Sequence, residues 1–143
     1  MIYITKIFSF EAAHALKDYK GACANIHGHS YRLEVSIAPC IGSVAIDDDG
    51  MIWDFNNLKK VVQETLLNRF DHSLLLNSSN DTSLLETLKG QFEKVLLLPF
   101  QPTSENLVQH FASMLKAALP ERLRLKRMIL YETATSFVTY EEE

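Results

Sequence analysis

The chain has 143 residues, of which 47% are hydrophobic and 22% charged, and its net charge is −4. This length and composition are typical of one globular domain, and the scattered basic residues argue against nucleic-acid binding. No apolar run reaches the roughly 18 residues of a membrane span, and no signal-peptide pattern is present. We therefore expect a single cytoplasmic domain over residues 1–143 that binds neither nucleic acid nor membrane, with Cys23 and Cys40 as free thiols.

The first predicted element is a strand over residues 2–14. Large apolar side chains occupy most of its even positions, and His14 lies on the same face. The following segment, residues 15–26, is polar and lacks a long apolar run, so we predict a loop that carries Cys23.

The second predicted strand covers residues 27–38, where apolar and polar residues alternate. Because side chains alternate between the two faces of a strand, His27 and His29 share the apolar face with Tyr31. Antiparallel pairing with the first strand would bring His14 to them. Three histidines leave one position of a tetrahedral zinc ion open, as in catalytic sites. An His-x-His pair alone is equally typical of buried histidines that only make hydrogen bonds.

An acidic turn, Asp47–Gly50, follows within residues 44–53. Its spacing of oxygen ligands does not match a calcium loop, so we interpret it as a solvated turn. Asp54 then predicts the N-cap of a helix from about 55 to 69, because apolar residues recur there at helical spacing.

The stretch after this helix has the weakest patterns. Leu74–Leu76 are expected to lead into a polar loop. Ser83 and Glu86 fit a capping box, which predicts a short helix near 84–90. A short strand is predicted just before Pro99, since proline ends strands.

A second main helix is predicted from 104 to 118, with His110 at a surface position and without a role. Two strands, 125–133 and 136–141, follow it. The order of the elements predicts an α+β fold, in which a four-stranded antiparallel sheet carries two helices on one face.

Other polar groups are candidates for chemistry. Asp71 and His72 end the first helix, where they could simply cap it or form a proton relay together with a thiol. Glu132 lies in an apolar strand, either as an edge charge or as an anchor for N–H groups of a ligand. Cys23 is either an inert loop thiol or, because of the nearby histidines, a reactive one. Cys40 has no such neighbours in the sequence and is expected to be structural.

The spacing of Gly21, His27, His29 and Glu34 also resembles the first metal-binding motif of the cupins, which are all-β barrels. The two long predicted helices argue against a cupin. So does the alternation of the strand, which places Glu34 on the face opposite the histidines.

Six stretches, in this order, resemble the 6-pyruvoyltetrahydropterin synthase / 6-carboxytetrahydropterin synthase family. They are Phe10-Glu-Ala-Ala-His14, Cys23-x3-His27-Gly-His29-x-Tyr31, Trp53-Asp-Phe55, Phe70-Asp-His72, Pro102-Thr-Ser-Glu-Asn106 and Tyr131-Glu-Thr133. The resemblance spans nearly the whole chain. Only the region 78–98 departs from it, because it is longer than in compact members of the family, and we interpret it as an insert.

The resemblance implies a tunnelling fold (T-fold), in which subunits join their sheets into a barrel and active sites form between chains. A homo-oligomer, with a hexamer as the first expectation, and a pterin substrate follow from it. It also implies one Zn²⁺ per chain, although three imidazoles suit iron, nickel or copper as well. The implied residues are His14, His27 and His29 for zinc, Cys23 as base, Asp71 and His72 as relay, Glu132 for the pterin ring, and Thr103, Ser104 and Glu105 along the pocket.

One spacing indicates the branch of the family. Three residues separate Cys23 from His27, which is similar to the bacterial 6-carboxytetrahydropterin synthases of queuosine (7-deazaguanine) biosynthesis, whereas the tetrahydrobiopterin enzymes typically have five. The implied reaction converts 7,8-dihydroneopterin triphosphate to 6-carboxy-5,6,7,8-tetrahydropterin, acetaldehyde and triphosphate. The alternatives are a 6-pyruvoyltetrahydropterin synthase, which only eliminates triphosphate, and a non-catalytic T-fold protein that binds a pterin or purine.

Overall fold

The structure, a computed structural model, describes residues 1–43 and 46–143. Residues 44 and 45, at the start of the predicted 44–53 turn region, lie outside the described residues. The strands are β1 (Ile4–His14), β2 (His27–Pro39), β3 (Ser73–Asn77), β4 (Val95–Leu98), β5 (Leu123–Tyr131) and β6 (Phe137–Glu141). The helices are α1 (Phe55–Val62), α2 (Asn68–Phe70), α3 (Thr82–Gln91) and α4 (Ser104–Ala118), with a 3₁₀ turn at Ala22–Ala24.

The first two strands pair antiparallel over most of their predicted length. Ile4 lies opposite Ile37 at one end, and His14 lies opposite His27 at the other. The predicted alternation in β2 is confirmed, since its apolar residues from Tyr31 to Ile37 are fully buried. Glu34 pairs with Arg32 at 2.7 Å on the other face, as predicted.

The prediction of a four-stranded antiparallel sheet is wrong in strand number and direction. The described sheet has six strands in the order β4-β3-β1-β2-β5-β6. Leu74–Leu76 are part of β3 rather than the start of a loop, and β3 runs parallel to the end of β1. A run of three leucines has no period that distinguishes a buried strand from other apolar segments, so the sequence did not reveal this strand.

The predicted insert forms the outer part of this sheet. β3, α3 and β4 make a parallel strand–helix–strand unit with a small core of Leu76, Leu85 and Val95. The capping box was placed wrongly, because Asp81 is the N-cap and its carboxylate accepts from the Leu84 N–H at 3.1 Å. The short carboxylate one residue before the helix satisfies this orphan donor.

The two main helices pack on the face of the sheet that carries Phe10. α1 begins after Asp54, whose carboxylate accepts from the Asn56 N–H at 2.6 Å, as predicted. It continues through a π-helical stretch, Gln63–Leu67, into the single turn α2. The aromatic rings of Phe70 and Phe111 meet at 4.7 Å and anchor α2 against α4 in the main core. This helical layer excludes the all-β cupin barrel.

The C-terminal strands are close to their predicted positions. β5 ends at Tyr131, two residues earlier than expected, and Glu132 therefore begins the turn to β6. Both cysteines are free, as predicted, and the Cys40 thiol donates to the Glu121 carbonyl at 3.3 Å. Within the described ranges, none of the helices has the length and apolarity required to cross a membrane.

Candidate active site

Three histidines meet where the β1–β2 pair ends, as the sequence predicts. His14 and His27 are paired residues, and the Nε2 atoms of their rings lie 3.1 Å apart. The ring of His29 has its centroid 5.1 Å from that of His14 and 5.0 Å from that of His27. One ring nitrogen from each of the three residues lies within 4.8 Å of the other two, so the cluster could hold a metal ion.

Main-chain carbonyls fix the orientation of two of these rings. The Nδ1–H of His14 donates to the Pro102 carbonyl at 2.7 Å, and the Nδ1–H of His27 donates to the Asn25 carbonyl, also at 2.7 Å. A carbonyl oxygen can only accept, so both Nδ1 atoms carry a proton, and in the neutral rings both Nε2 atoms therefore carry a lone pair. The Nε2 of His29 is buried and has no hydrogen-bond partner among the described residues.

These donors fit a divalent metal ion. Two lone pairs that face each other at 3.1 Å repel unless a cation lies between them. Two imidazoles on tetrahedral zinc, each at about 2.0–2.1 Å, would have nitrogens about 3.3 Å apart, close to the observed spacing. A metal-binding histidine usually donates its other ring N–H to a carbonyl, a carboxylate or water, which fixes the orientation of the ring. Burial lowers the pKa of His14, which favours the neutral form that binds metal.

Gly28 and Tyr31 support the cluster from the strands. A Cβ at Gly28 would lie 3.3 Å from the Ala12 carbonyl oxygen, so this position favours a residue without a side chain. The fully buried ring of Tyr31 stacks on Phe10 with centroids 4.9 Å apart and meets the His29 ring edge-on at 5.5 Å. Burial raises the pKa of Tyr31, so the phenol stays neutral beneath the imidazoles.

Glu132 brings a carboxylate to the histidines. Its Oε1 lies 3.6 Å from Nε2 of His29, and its Oε2 accepts a hydrogen bond from the Ser104 hydroxyl at 2.7 Å. Ser104 is the buried first residue of α4, so the helix start fixes the carboxylate in place. A groove of about 570 Å³ is lined by both His29 and Glu132. The arrangement presents a fixed hydrogen-bond acceptor beside a potential cation site.

The three residues predicted to line the pocket have different places. Ser104 contacts Glu132 directly, and Glu105 is exposed and lines a neighbouring recess with both of them. The Thr103 hydroxyl accepts from the Asn106 N–H at 3.3 Å and thus serves as the N-cap of α4.

Asp71 and His72 lie in the connection from α2 to β3. The Asp71 carboxylate accepts from the Glu11 N–H at 2.9 Å, and the His72 N–H donates to the Glu11 carbonyl at 2.6 Å. His72 has a positive φ of 61°, and its side chain is 75% exposed. Its Nε2 is 3.8 Å from the Asp71 carboxylate, too far for a hydrogen bond. His72 and His29 nevertheless line one groove of about 380 Å³.

Cys23 lies in the 3₁₀ turn that precedes β2. The Leu16 N–H donates to its carbonyl at 2.9 Å, and its side chain is half-buried. The thiol makes no hydrogen bond with the described residues. Two residues later, Asn25 provides the carbonyl that orients His27. The loop that carries Cys23 therefore also contains the carbonyl that orients His27.

The sequence did not reveal how the cluster is supported. The carbonyls of Pro102 and Asn25 leave no signal in the sequence, because every residue has this group. The contact of Ser104 with Glu132 had a partial signal, since both residues belong to motifs that the resemblance singled out.

Known protein sequences match this chain over nearly its whole length. A family model described as 6-pyruvoyl tetrahydropterin synthase matches residues 3–143. A protein named 6-carboxy-5,6,7,8-tetrahydropterin synthase from Haemophilus influenzae is 33% identical, and the match covers 99% of this chain and 100% of that protein. A protein of the same name from Aquifex aeolicus is 34% identical, with 98% of each chain covered.

Solved structures show the same fold. The 6-pyruvoyl tetrahydropterin synthase of Caenorhabditis elegans has a TM-score of 0.68 at 25% identity, over 99% of this chain and 96% of that one. The Plasmodium falciparum protein of that name has a TM-score of 0.73 at 18% identity, over 99% and 97% of the two chains. The chain therefore belongs to the 6-pyruvoyl tetrahydropterin synthase family, a family of enzymes.

Proposed function

We propose that this enzyme is a zinc-dependent 6-carboxy-5,6,7,8-tetrahydropterin synthase of queuosine biosynthesis. It would convert 7,8-dihydroneopterin triphosphate to 6-carboxy-5,6,7,8-tetrahydropterin, acetaldehyde and triphosphate. The observation that carries the proposal is the 3.6 Å between the His29 imidazole and the Glu132 carboxylate, which joins a three-imidazole cluster to an anchor for a heterocycle. The names of the relatives and the Cys23-x3-His27 spacing support this branch.

His14, His27 and His29 would hold the zinc ion. When bound, such an ion acts as a Lewis acid that lowers the pKa of coordinated hydroxyl oxygens. The chain itself prepares the ligands, since the Pro102 and Asn25 carbonyls keep the Nδ1 protons of His14 and His27 away from the cluster.

Glu132 would bind the pterin ring. The ring presents neighbouring N–H groups, and a carboxylate accepts from such a pair with both oxygens. The Ser104 hydroxyl occupies only one lone pair of Oε2, so both oxygens keep acceptor capacity while their orientation is fixed. The groove of about 570 Å³ along His29 and Glu132 is within the size range of small-molecule sites.

Cys23 would remove the carbon-bound proton, and His72, assisted by Asp71, would return protons to the product. A thiolate is favoured next to a bound cation, and an imidazole is the side chain that most often serves as a general acid. The 75% exposure of His72 in the single chain supports a site that a neighbouring subunit completes. We accordingly propose a homo-oligomer, specifically a hexamer, in which the sheets of the subunits join into a T-fold barrel.

The test is an incubation of protein of known zinc content with 7,8-dihydroneopterin triphosphate, with products identified by mass spectrometry. Formation of 6-carboxy-5,6,7,8-tetrahydropterin with trapped acetaldehyde supports the proposal. 6-Pyruvoyltetrahydropterin as the sole product would assign the chain to the biopterin branch. Absence of turnover, with about one zinc per chain bound, would favour a protein that only binds a pterin or purine.

A further inference from the structure

Gln101, between β4 and α4, makes an unusual contact with a distant loop. Its side-chain Nε2–H donates to the Lys17 carbonyl at 2.6 Å, and its Oε1 accepts from the Lys17 N–H at 3.1 Å. The carboxamide therefore binds the main chain of one residue as a neighbouring strand would, across 84 positions of sequence. An amide side chain carries a donor and an acceptor on two adjacent atoms, as this two-point contact requires.

Lys17 belongs to the loop that carries Cys23. The preceding residue, Leu16, donates its N–H to the Cys23 carbonyl at 2.9 Å, and its own carbonyl accepts from the Tyr19 N–H at 3.4 Å. Gln101 thus holds Lys17, which directly follows Leu16, the residue that is hydrogen-bonded to Cys23. The thiol itself makes no hydrogen bond with the described residues, so the position of Cys23 depends on how this loop is fixed.

The other contacts of Gln101 connect the loop to the histidine cluster. Its carbonyl accepts from the Thr103 N–H at 2.8 Å and from the side chain of Asn106 at 3.0 Å, which fixes the segment before α4. Pro102, enclosed by these contacts, provides the carbonyl that orients His14. The Asn77 side chain at the end of β3 also donates to the Gln101 Oε1 at 3.3 Å.

We infer that Gln101 is a positioning residue, which sets the position of Cys23 relative to the three histidines. The inference rests on the proposed function, in which Cys23 acts beside a metal held by those histidines. In Gln101→Glu the shape is kept, but a carboxylate oxygen replaces the donor that faces the Lys17 carbonyl at 2.6 Å. In Gln101→Met the length is kept and both polar groups are lost.

The experiment measures the rate at which iodoacetamide alkylates Cys23, resolved by peptide mass spectrometry, with Cys40 as the reference thiol in the same molecule. Both Gln101 variants should change the Cys23-to-Cys40 rate ratio about three- to tenfold, as expected when one or two hydrogen bonds are lost. Zinc content should stay at the wild-type level, and kcat should fall while KM changes by less than about twofold. Gln109→Glu, at an exposed position of α4, is the matched control and should behave as wild type.

An unchanged rate ratio in folded variants, even with a lower melting temperature, would overturn the inference, because it would show a purely structural role. The thiol measurement needs no substrate. Its result therefore stands even if the wild-type protein does not turn over the pterin. Failure of the inference about Gln101 can thus be distinguished from failure of the proposed function. If Gln101→Glu does not fold, the ratio in Gln101→Met decides.

Discussion

The Nε2 atoms of His14 and His27 face each other at 3.1 Å because the two residues are directly paired between β1 and β2. Each ring is also held from behind by a main-chain carbonyl. The cluster is thus a product of strand register, since a slip by one residue would turn one histidine to the opposite face of the sheet. A site built on paired strands is rigid, as metal ligation requires.

Removal of one histidine should abolish stable metal binding. In His27→Ala, we expect the zinc content to fall from about one per chain to less than about a tenth after dialysis against a chelator, because two imidazoles bind zinc far more weakly than three. Elemental analysis measures this directly. His72→Ala, which removes an exposed histidine outside the cluster, should keep its zinc. Full zinc retention in His27→Ala would show that the three rings are not the ligands.

The hydroxyl of Ser104 should matter for substrate binding and not for metal binding. Ser104→Ala leaves the Glu132 carboxylate without its 2.7 Å hydrogen bond and free to rotate. We expect KM for the pterin to rise about tenfold, the value of one hydrogen bond to a charged group, with zinc content unchanged. Steady-state kinetics measures this. Ser113→Ala, at an exposed position of the same helix, is the control. Equal KM values in the two variants would show that the hydrogen bond from Ser104 to Glu132 does not support pterin binding.

The periodic parts of the fold could be predicted from the sequence. The alternation over residues 27–38 and the helical spacing over residues 104–118 both identify elements that the structure contains within a residue at each end. Each of these segments has one buried and one exposed face, and the resulting period appears in the sequence. β3 has no such period, because its leucines pack in two different cores. Leu75 belongs to the main core, and Leu74 and Leu76 pack in the small core with α3. Its parallel pairing with β1 is likewise a long-range choice without a local signal.

The candidate site shows the same division. Side chains with chemistry of their own, such as His14 and Glu132, could be recognised from residue type and face. The groups that orient them are a main-chain carbonyl, that of Pro102, which lies 88 positions from His14, and an ordinary polar residue, Ser104, which lies 28 positions from Glu132. Such partners follow from the tertiary structure alone. The distance between Asp71 and His72 also shows that neighbours in sequence need not be hydrogen-bonded.

Cys23 should be essential for turnover and dispensable for binding. In Cys23→Ala we expect turnover to fall at least about 100-fold, the lower range for loss of a general base, with zinc content and pterin affinity unchanged. Product formation and fluorescence titration with the pterin measure the two properties. Cys40→Ala is the control, since the Cys40 thiol lies outside the histidine cluster and donates to the Glu121 carbonyl. Activity of Cys23→Ala near that of wild type would remove Cys23 from the role of base.

His110 is a further titrating group, away from the histidine cluster. The expected surface position is only partly correct: the residue keeps some exposure, but its ring packs against Phe100 and Phe70, with centroids 5.3 and 6.1 Å away. Its Nε2 is buried, and no hydrogen-bond partner for it lies in the part of the chain that the structure describes. Burial, and to a smaller extent the charge of Arg69, lowers its pKa below the ordinary value of 6.5. The folded chain therefore favours the neutral ring.

This lowered pKa makes His110 a source of instability in acid. As pH falls from about 6.5 towards the lower folded pKa, the unfolded chain binds a proton that the folded chain does not, so the free energy of unfolding falls. His110→Leu removes this titration and keeps the packing against Phe70 and Phe100. Urea unfolding at pH 7.5 and pH 5.5 should therefore show a smaller loss of stability in the variant than in wild type. Because the two proteins differ only at residue 110, the difference between their losses of stability reports on His110 alone. Parallel losses of stability would mean that His110 is protonated in the folded chain as readily as in the unfolded one.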